Sequence, residues 1–213
     1  AVLWSWLAPQ LFTHAARVKV DRDTGAVRVL DFVAAHDSGV IVNRMGADGQ
    51  VYGGGESERI IGRLLASSGI DRDSLVLATK FMPSPWKLGV KGALRSALEG
   101  SLDRLGVDRV DLYQIHGPIS LRSHRALAEA LAAVVHDGLA SAVGVSNYSV
   151  REMEAIHGEL AQRGVALASN QIEYSILRRR PENVGLIAAC QRLGVVPLAY
   201  SPIAQGRLTG KYT

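Results

Sequence analysis

The chain has 213 residues, 47% hydrophobic and 21% charged, a composition ordinary for a soluble globular protein and enough for one domain with a sizeable core. Its net charge of +4 is dispersed, and the densest basic run is Arg178–Arg180; this excludes the long basic stripe with interleaved aromatics that nucleic acid requires and weakly favours an anionic cofactor such as a dinucleotide. A single cysteine, Cys190, excludes an internal disulfide and fits a reducing cytoplasm, and no apolar run reaches the length that spans a bilayer.

The opening Ala1–Ala8 is apolar but has no basic stretch before it, so it reads as a terminal segment rather than a signal remnant. From Arg17 to Ala34 apolar residues alternate with the period of a strand pair. Val18 and Val20 face one way, Val27 and Val29 answer them, and Asp23-Thr24-Gly25 supplies the turn of a β-hairpin.

Past residue 56 the pattern changes to strands alternating with helices. Ser57 is a candidate cap for a helix carrying Ile60, Ile61, Leu64 and Leu65. Leu75–Thr79 reads as a buried strand, and Leu94, Leu98, Leu102 and Leu105 form a helical stripe. Val110–His116 is the next strand, followed by a helix with Leu127, Leu131, Val134 and Val135 that ends at Gly138. Ala142–Ser146 is a strand. Ser149 with Glu152 makes a capping box for a helix holding Met153, Ile156 and Leu160, stopped at Gly164. Ala168–Ile172 is a strand, Pro181 suits the first turn of a helix ending at Gly194, and Val195–Tyr200 is the last strand.

Strict βα alternation with short apolar strands predicts a parallel sheet covered by helices. A (β/α)8 TIM-type barrel and a doubly wound sheet both satisfy it. No Gly-x-Gly-x-x-Gly follows a strand, which counts against the dinucleotide-binding doubly wound fold. Polar residues collect at the strands' C-terminal ends: Lys80, His116, Ser146-Asn147, Asn170-Gln171 and Tyr200-Ser201. In a parallel barrel those ends share the face where active sites sit.

The segments around these residues resemble the aldo/keto reductase family. They are Val51–Gly62, Leu77-Ala-Thr-Lys80, Asp111-Leu-Tyr-Gln-Ile-His116, Gly144-Val-Ser-Asn147, Asn170–Tyr174 and Tyr200-Ser-Pro-Ile-Ala-Gln-Gly206, in the family's order. The resemblance implies an NADPH-dependent oxidoreductase that reduces a small aldehyde or ketone to its alcohol. Tyr52, Lys80 and His116 are the implied catalytic residues. Carbonyl reduction needs a proton for the developing alkoxide, and a phenol with a pKa of about 10 is a poor acid at neutral pH. An ammonium beside it favours the phenolate and lowers that pKa, so Tyr52 with Lys80 makes a usable acid. His116 orients the carbonyl or helps relay the proton. By the same resemblance Ser146, Asn147 and Gln171 hold the nicotinamide carboxamide, and Tyr200 stacks on its ring. Ser201, Pro202, Ile203, Ala204, Gly206 and Lys211 follow the pyrophosphate.

The chain departs from the family in three places. Ala47 stands where the family has an Asp five residues before the Tyr, and Asp48 is one residue late. The family's first barrel strands are not recognisable before residue 50. Its last strand and helices, which grip the adenosine end, have no counterpart, so the expected barrel is incomplete and cofactor binding weak. Residues 16–54 instead resemble the molybdenum-binding subunit of the xanthine dehydrogenase/aldehyde oxidase type, with Arg44 in place of the usual Pro. That stretch is too small to supply a molybdopterin pocket, and His36 with Asp37 is too sparse for a metal site, so no metal is expected. The expected organisation is a hairpin segment over 1–50 and a partial reductase barrel over 51–213. The alternatives are a non-catalytic reductase-like protein that senses or binds cofactor, and a non-functional fusion product.

Overall fold

In the computed structural model, residues 12–20, 27–36, 55–82, 89–118, 123–202 and 204 are described. They form an α/β fold: an incomplete (β/α)8 barrel preceded by a β-hairpin, with five strands of the βα series among the described residues. Two compact units share the chain, one built from residues 1–80 and 97–112, the other from 81–96 and 113–213.

In the first unit, β1 (Phe12–Val20) and β2 (Val27–His36) are antiparallel. Val18 pairs with Val29 and Val20 with Val27, the pairing that alternation predicts. Both strands extend beyond the alternating stretch, and β2 runs on to His36. The turn at Asp23–Gly25 lies outside the described residues. β1 also pairs antiparallel with β3 (Leu75–Phe81), from Arg17↔Leu75 to His14↔Ala78.

Helix α1 (Glu56–Ser68) corrects the sequence reading. Its N-cap is Gly55, in the left-handed region at φ 84, and Ser57 lies inside the first turn with its side chain buried. Of the four apolar residues that the helix carries on one side only Ile61 is buried, while Leu64 is 48% exposed. The physical reason is Glu58, which sits on that face with Ser57 and Ile61 at helical spacing. Its carboxylate accepts from Thr79 Oγ1 at 2.7 Å and from Arg104 Nε at 2.6 Å. A buried charge is tolerated only when paired and hydrogen-bonded, and this one is. Asp111, in β4 (Val110–Ile115), accepts from Leu77 N at 2.7 Å and Arg72 Nη2 at 2.8 Å. The predicted leucine stripe holds: Leu94, Leu98, Leu102 and Leu105 of α2 (Val90–Leu105) are all buried.

In the second unit, α3 (His124–His136), β5 (Ala140–Ser146), α4 (Val150–Ala161), β6 (Leu167–Glu173) and β7 (Val196–Tyr200) alternate as predicted. β5 pairs parallel with β6, and β6 with β7. The capping box of Ser149 and Glu152 is formed in both directions. The single helix expected from Pro181 to Gly194 is two, α5 (Arg180–Asn183) and α6 (Leu186–Leu193), broken at Val184-Gly185.

β5 and β6 approach closely at Gly144. A Cβ there would lie 2.3 Å from Ser169 Oγ and 3.0 Å from Ser169 O. Gly144→Ala should therefore overpack the sheet, with a stability loss of about 1–3 kcal/mol read as a lower midpoint of urea unfolding.

Candidate active site

The site is built from strand ends. On β3, Leu75, Leu77, Thr79 and Phe81 are buried, and Val76 is 49% exposed. Side chains alternate across a strand, so Lys80 points to the face opposite Thr79. Lys80 is half-buried, and desolvation of its ammonium pulls its pKa down from 10.5 to about 8. His116, directly after β4, is half-buried too, and its backbone N–H donates to Phe81 O at 2.8 Å. Lys80 belongs to the first unit and His116 to the second.

Four of the predicted residues are drawn together in the second unit. Gln171 O accepts two bonds, from Ser146 Oγ at 3.0 Å and from Asn147 N at 2.8 Å. Asn147 Nδ2 donates to Ser146 Oγ at 3.3 Å, and Tyr200 OH donates to Asn147 Oδ1 at 3.1 Å. Parallel register puts Ser146 opposite Gln171 and Glu173 opposite Tyr200, so the ends of β5, β6 and β7 meet. Burial raises the Tyr200 phenol, and Glu173 adds to the rise. The side-chain amide of Gln171 makes no hydrogen bond among the described residues.

The backbone is strained at this end of the sheet. Asn147 has φ 59, Ser201 φ 54 and Ala204 φ 51. A left-handed conformation costs a non-glycine residue about 1–2 kcal/mol, least for Asn, and such outliers gather where function constrains the chain. Pro202 follows Ser201, and Ala204 N closes a turn onto Ser201 O at 2.8 Å. A cleft of about 350 Å³ opens beside Asn147 and Tyr200, lined also by Tyr148, Glu173, Arg178 and Arg180. Tyr52, Ile203, Gly206 and Lys211, with Ala47 and Asp48, lie outside the described residues.

Sequence reading gives no role to Asn170, which is fully buried. Its Nδ2 donates to Tyr148 O at 3.0 Å, and its Oδ1 accepts from Tyr148 N at 3.4 Å. It pins the peptide that follows Asn147. The one signal for it is its place beside Gln171 at a strand end. Among the described residues no group of three or more His, Cys, Asp or Glu could hold a metal ion, and no helix is long and apolar enough to cross a membrane.

Residues 47–213 match the model of the aldo/keto reductase family, and residues 9–55 match a molybdopterin cofactor-binding domain. The two matches overlap over 47–55. The chain is 38% identical over 167 residues to the chloroplastic pyridoxal reductase of Arabidopsis thaliana, covering 75% of this chain and 45% of that protein. It is 35% identical to the 6-dehydroglucose reductase of Novosphingobium aromaticivorans, covering 84% of this chain and 60% of the relative. Against the L-glyceraldehyde 3-phosphate reductase of Escherichia coli it is 34% identical, covering 74% and 47%. The chain thus spans about half the length of the curated relatives it matches. Among solved structures, an aldo/keto reductase from Klebsiella pneumoniae in complex with NADP and acetate superimposes with a TM-score of 0.62 at 31% identity, covering 76% of this chain and 53% of that one. A thermostable aldo-keto reductase bound to the inhibitor epalrestat gives a TM-score of 0.66 at 33% identity, covering 76% and 58%.

Asn170→Ala should leave both backbone groups of Tyr148 without their partner. Each buried group so orphaned costs about 1–3 kcal/mol. The expected outcome is a clear fall in melting temperature, with faster amide exchange at Tyr148 than in the parent.

Proposed function

We propose that this chain, which belongs to the aldo/keto reductase family, reduces a small aldehyde or ketone to its alcohol with NADPH. The observation that carries the reading is the array at the ends of β5, β6 and β7: Ser146, Asn147 and Tyr200 joined by hydrogen bonds, with the amide of Gln171 open beside them. The donor set fits a nicotinamide. A carboxamide is a planar donor and acceptor, and it needs partners of both kinds at fixed positions. Asn147, Gln171 and Ser146 offer both kinds, and the phenol ring of Tyr200 offers a face for stacking. Support for the cofactor also comes from the NADP in the Klebsiella structure, and support for a small carbonyl substrate from the names of the curated relatives.

The reduced nicotinamide, when bound, supplies hydride to the carbonyl carbon. The protein's part is the proton. Tyr52 donates it to the alkoxide oxygen, Lys80 favours the phenolate left behind, and His116 orients the carbonyl. Ser201, Pro202, Ile203, Ala204, Gly206 and Lys211 follow the pyrophosphate. Residues 1–50, with their molybdopterin-domain likeness, are a fused segment on this reading, and the reductase part occupies 51–213. A buried Cys190 thiol suits a reducing, cytoplasmic setting.

The first test is NADPH binding by fluorescence, followed by NADPH oxidation with a generic aldehyde at 340 nm. Binding without turnover would indicate a cofactor-binding protein instead, and the absence of binding would sink the reading. General acid help is typically worth about 10²–10⁴-fold, so Tyr52→Phe and Lys80→Met should each lower kcat by that range while cofactor affinity holds. Lys80 also sets the pH dependence. Its folded pKa is about 8, so the ammonium is present below that pH and lost above it. Turnover should therefore decline as pH rises through about 8, and Lys80→Arg, which stays cationic throughout, should move that decline to the pH at which Tyr52 itself loses its proton.

A further inference from the structure

The end of β3 is held in part by Phe81 O, which accepts from His116 N at 2.8 Å. The β1–β3 ladder runs from Leu75 to Ala78 and stops there. Thr79 and Lys80 lie one and two residues past its last pair. On the β1 side, the ladder thus ends before the point where Lys80 leaves the strand.

A side chain takes over at that point. Thr79 Oγ1 donates to Glu58 Oε1 at 2.7 Å, and Arg104 Nε donates to Glu58 Oε2 at 2.6 Å. Arg104 Nη2 donates onward to Ser101 Oγ at 3.1 Å. Glu58 is 6% exposed and Thr79 3%, so neither bond competes freely with water. The arginine lies across the start of α1 as well: a Cβ on Gly55 would stand 2.2 Å from Arg104 Nε. One carboxylate thus joins the first turn of α1, the last turn of α2 and the end of β3.

We propose that Glu58 is a positioning residue for Lys80: its grip on Thr79 fixes which face of β3 points at the helices, and so fixes the opposite face, on which Lys80 is presented. A strand reverses face at every residue, so a twist of the strand end that freed Thr79 would swing Lys80 with it. The clamp lowers no barrier itself; it acts through Lys80.

This inference rests on the reductase reading of Lys80, and the experiment separates the two. Thr79→Val keeps the shape and deletes the hydroxyl, whereas Thr79→Ser keeps the hydroxyl. A misplacement of about 1 Å at a catalytic group costs about a hundredfold, so Thr79→Val should lower kcat by roughly ten- to a hundredfold, with the NADPH dissociation constant unchanged. Glu58→Ala should act alike, and Thr79→Ser should keep most of kcat. A Thr79→Val enzyme with the parent's kcat would overturn the proposal, as would Thr79→Val and Thr79→Ser that fall equally. A parent without turnover would defeat the reductase reading by itself. The clamp is then judged on the Lys80 Cε signal of ¹³C-lysine-labelled protein, assigned by Lys80→Arg. A shift in Thr79→Val but not in Thr79→Ser upholds it, and an unmoved signal in both overturns it.

Discussion

Parallel pairing is the constraint from which the site follows. Two strands that run side by side in the same direction cannot be joined by a tight turn, and each needs a crossover, here a helix. Every strand of such a series therefore ends on the same edge. In the second unit β5, β6 and β7 obey this, and Ser146, Gln171 and Tyr200 meet although 25 or more residues of chain separate each from the next. The strand interiors are spent on burial, with Val143, Val145, Leu167 and Ile172 all nearly inaccessible. Polar side chains are left for the ends, where Tyr200 is half-buried and Asn147 exposed.

Holding those ends costs free energy, and the structure shows where it is offset. Asn147, Ser201 and Ala204 adopt left-handed backbone, which an unconstrained chain would leave. Asn147 is kept there by bonds from its own N–H and to both ends of its amide. Asn170 fixes the next peptide through Tyr148, and the Ser149–Glu152 capping box fixes the start of α4 immediately after. Three successive residues, Asn147 to Ser149, are thus over-determined. That is the condition under which strain persists, and it presents Asn147 in one orientation rather than several.

What was legible in the sequence was local. The capping box is a pattern four residues long, the α2 leucines a stripe, and the hairpin pairing of Val18 with Val29 a matter of alternation. The strand-end residues were legible because strand ends are visible as the points where apolar runs stop. What was missed depended on distant partners. Ser57 has the chemistry of a cap, yet it is drawn inside α1, because Glu58 beside it pairs with Arg104, 46 residues away. Asn170 bonds a peptide 22 residues back, which no spacing announces. The break between α5 and α6 at Gly185 was hidden by an apolar pattern that runs across it.

The hairpin on β3 shows how much a barrel strand tolerates in its neighbour. Backbone N–H and C=O groups carry no sequence preference, so an edge can accept a strand of either direction provided the ladder forms. β1 supplies an antiparallel ladder to β3 over Leu75–Ala78. Satisfying the backbone is a separate problem from aiming a side chain. The ladder fixes the middle of β3 and ends before Lys80; beyond it, Phe81 O accepts from His116 N, and Glu58 grips Thr79 on the face opposite Lys80. Burying a carboxylate for that purpose would be unfavourable if it were alone. With Thr79 and Arg104 both bonded to it, the charge is compensated where it lies, and the helix layer can hold the strand end whatever segment occupies the edge.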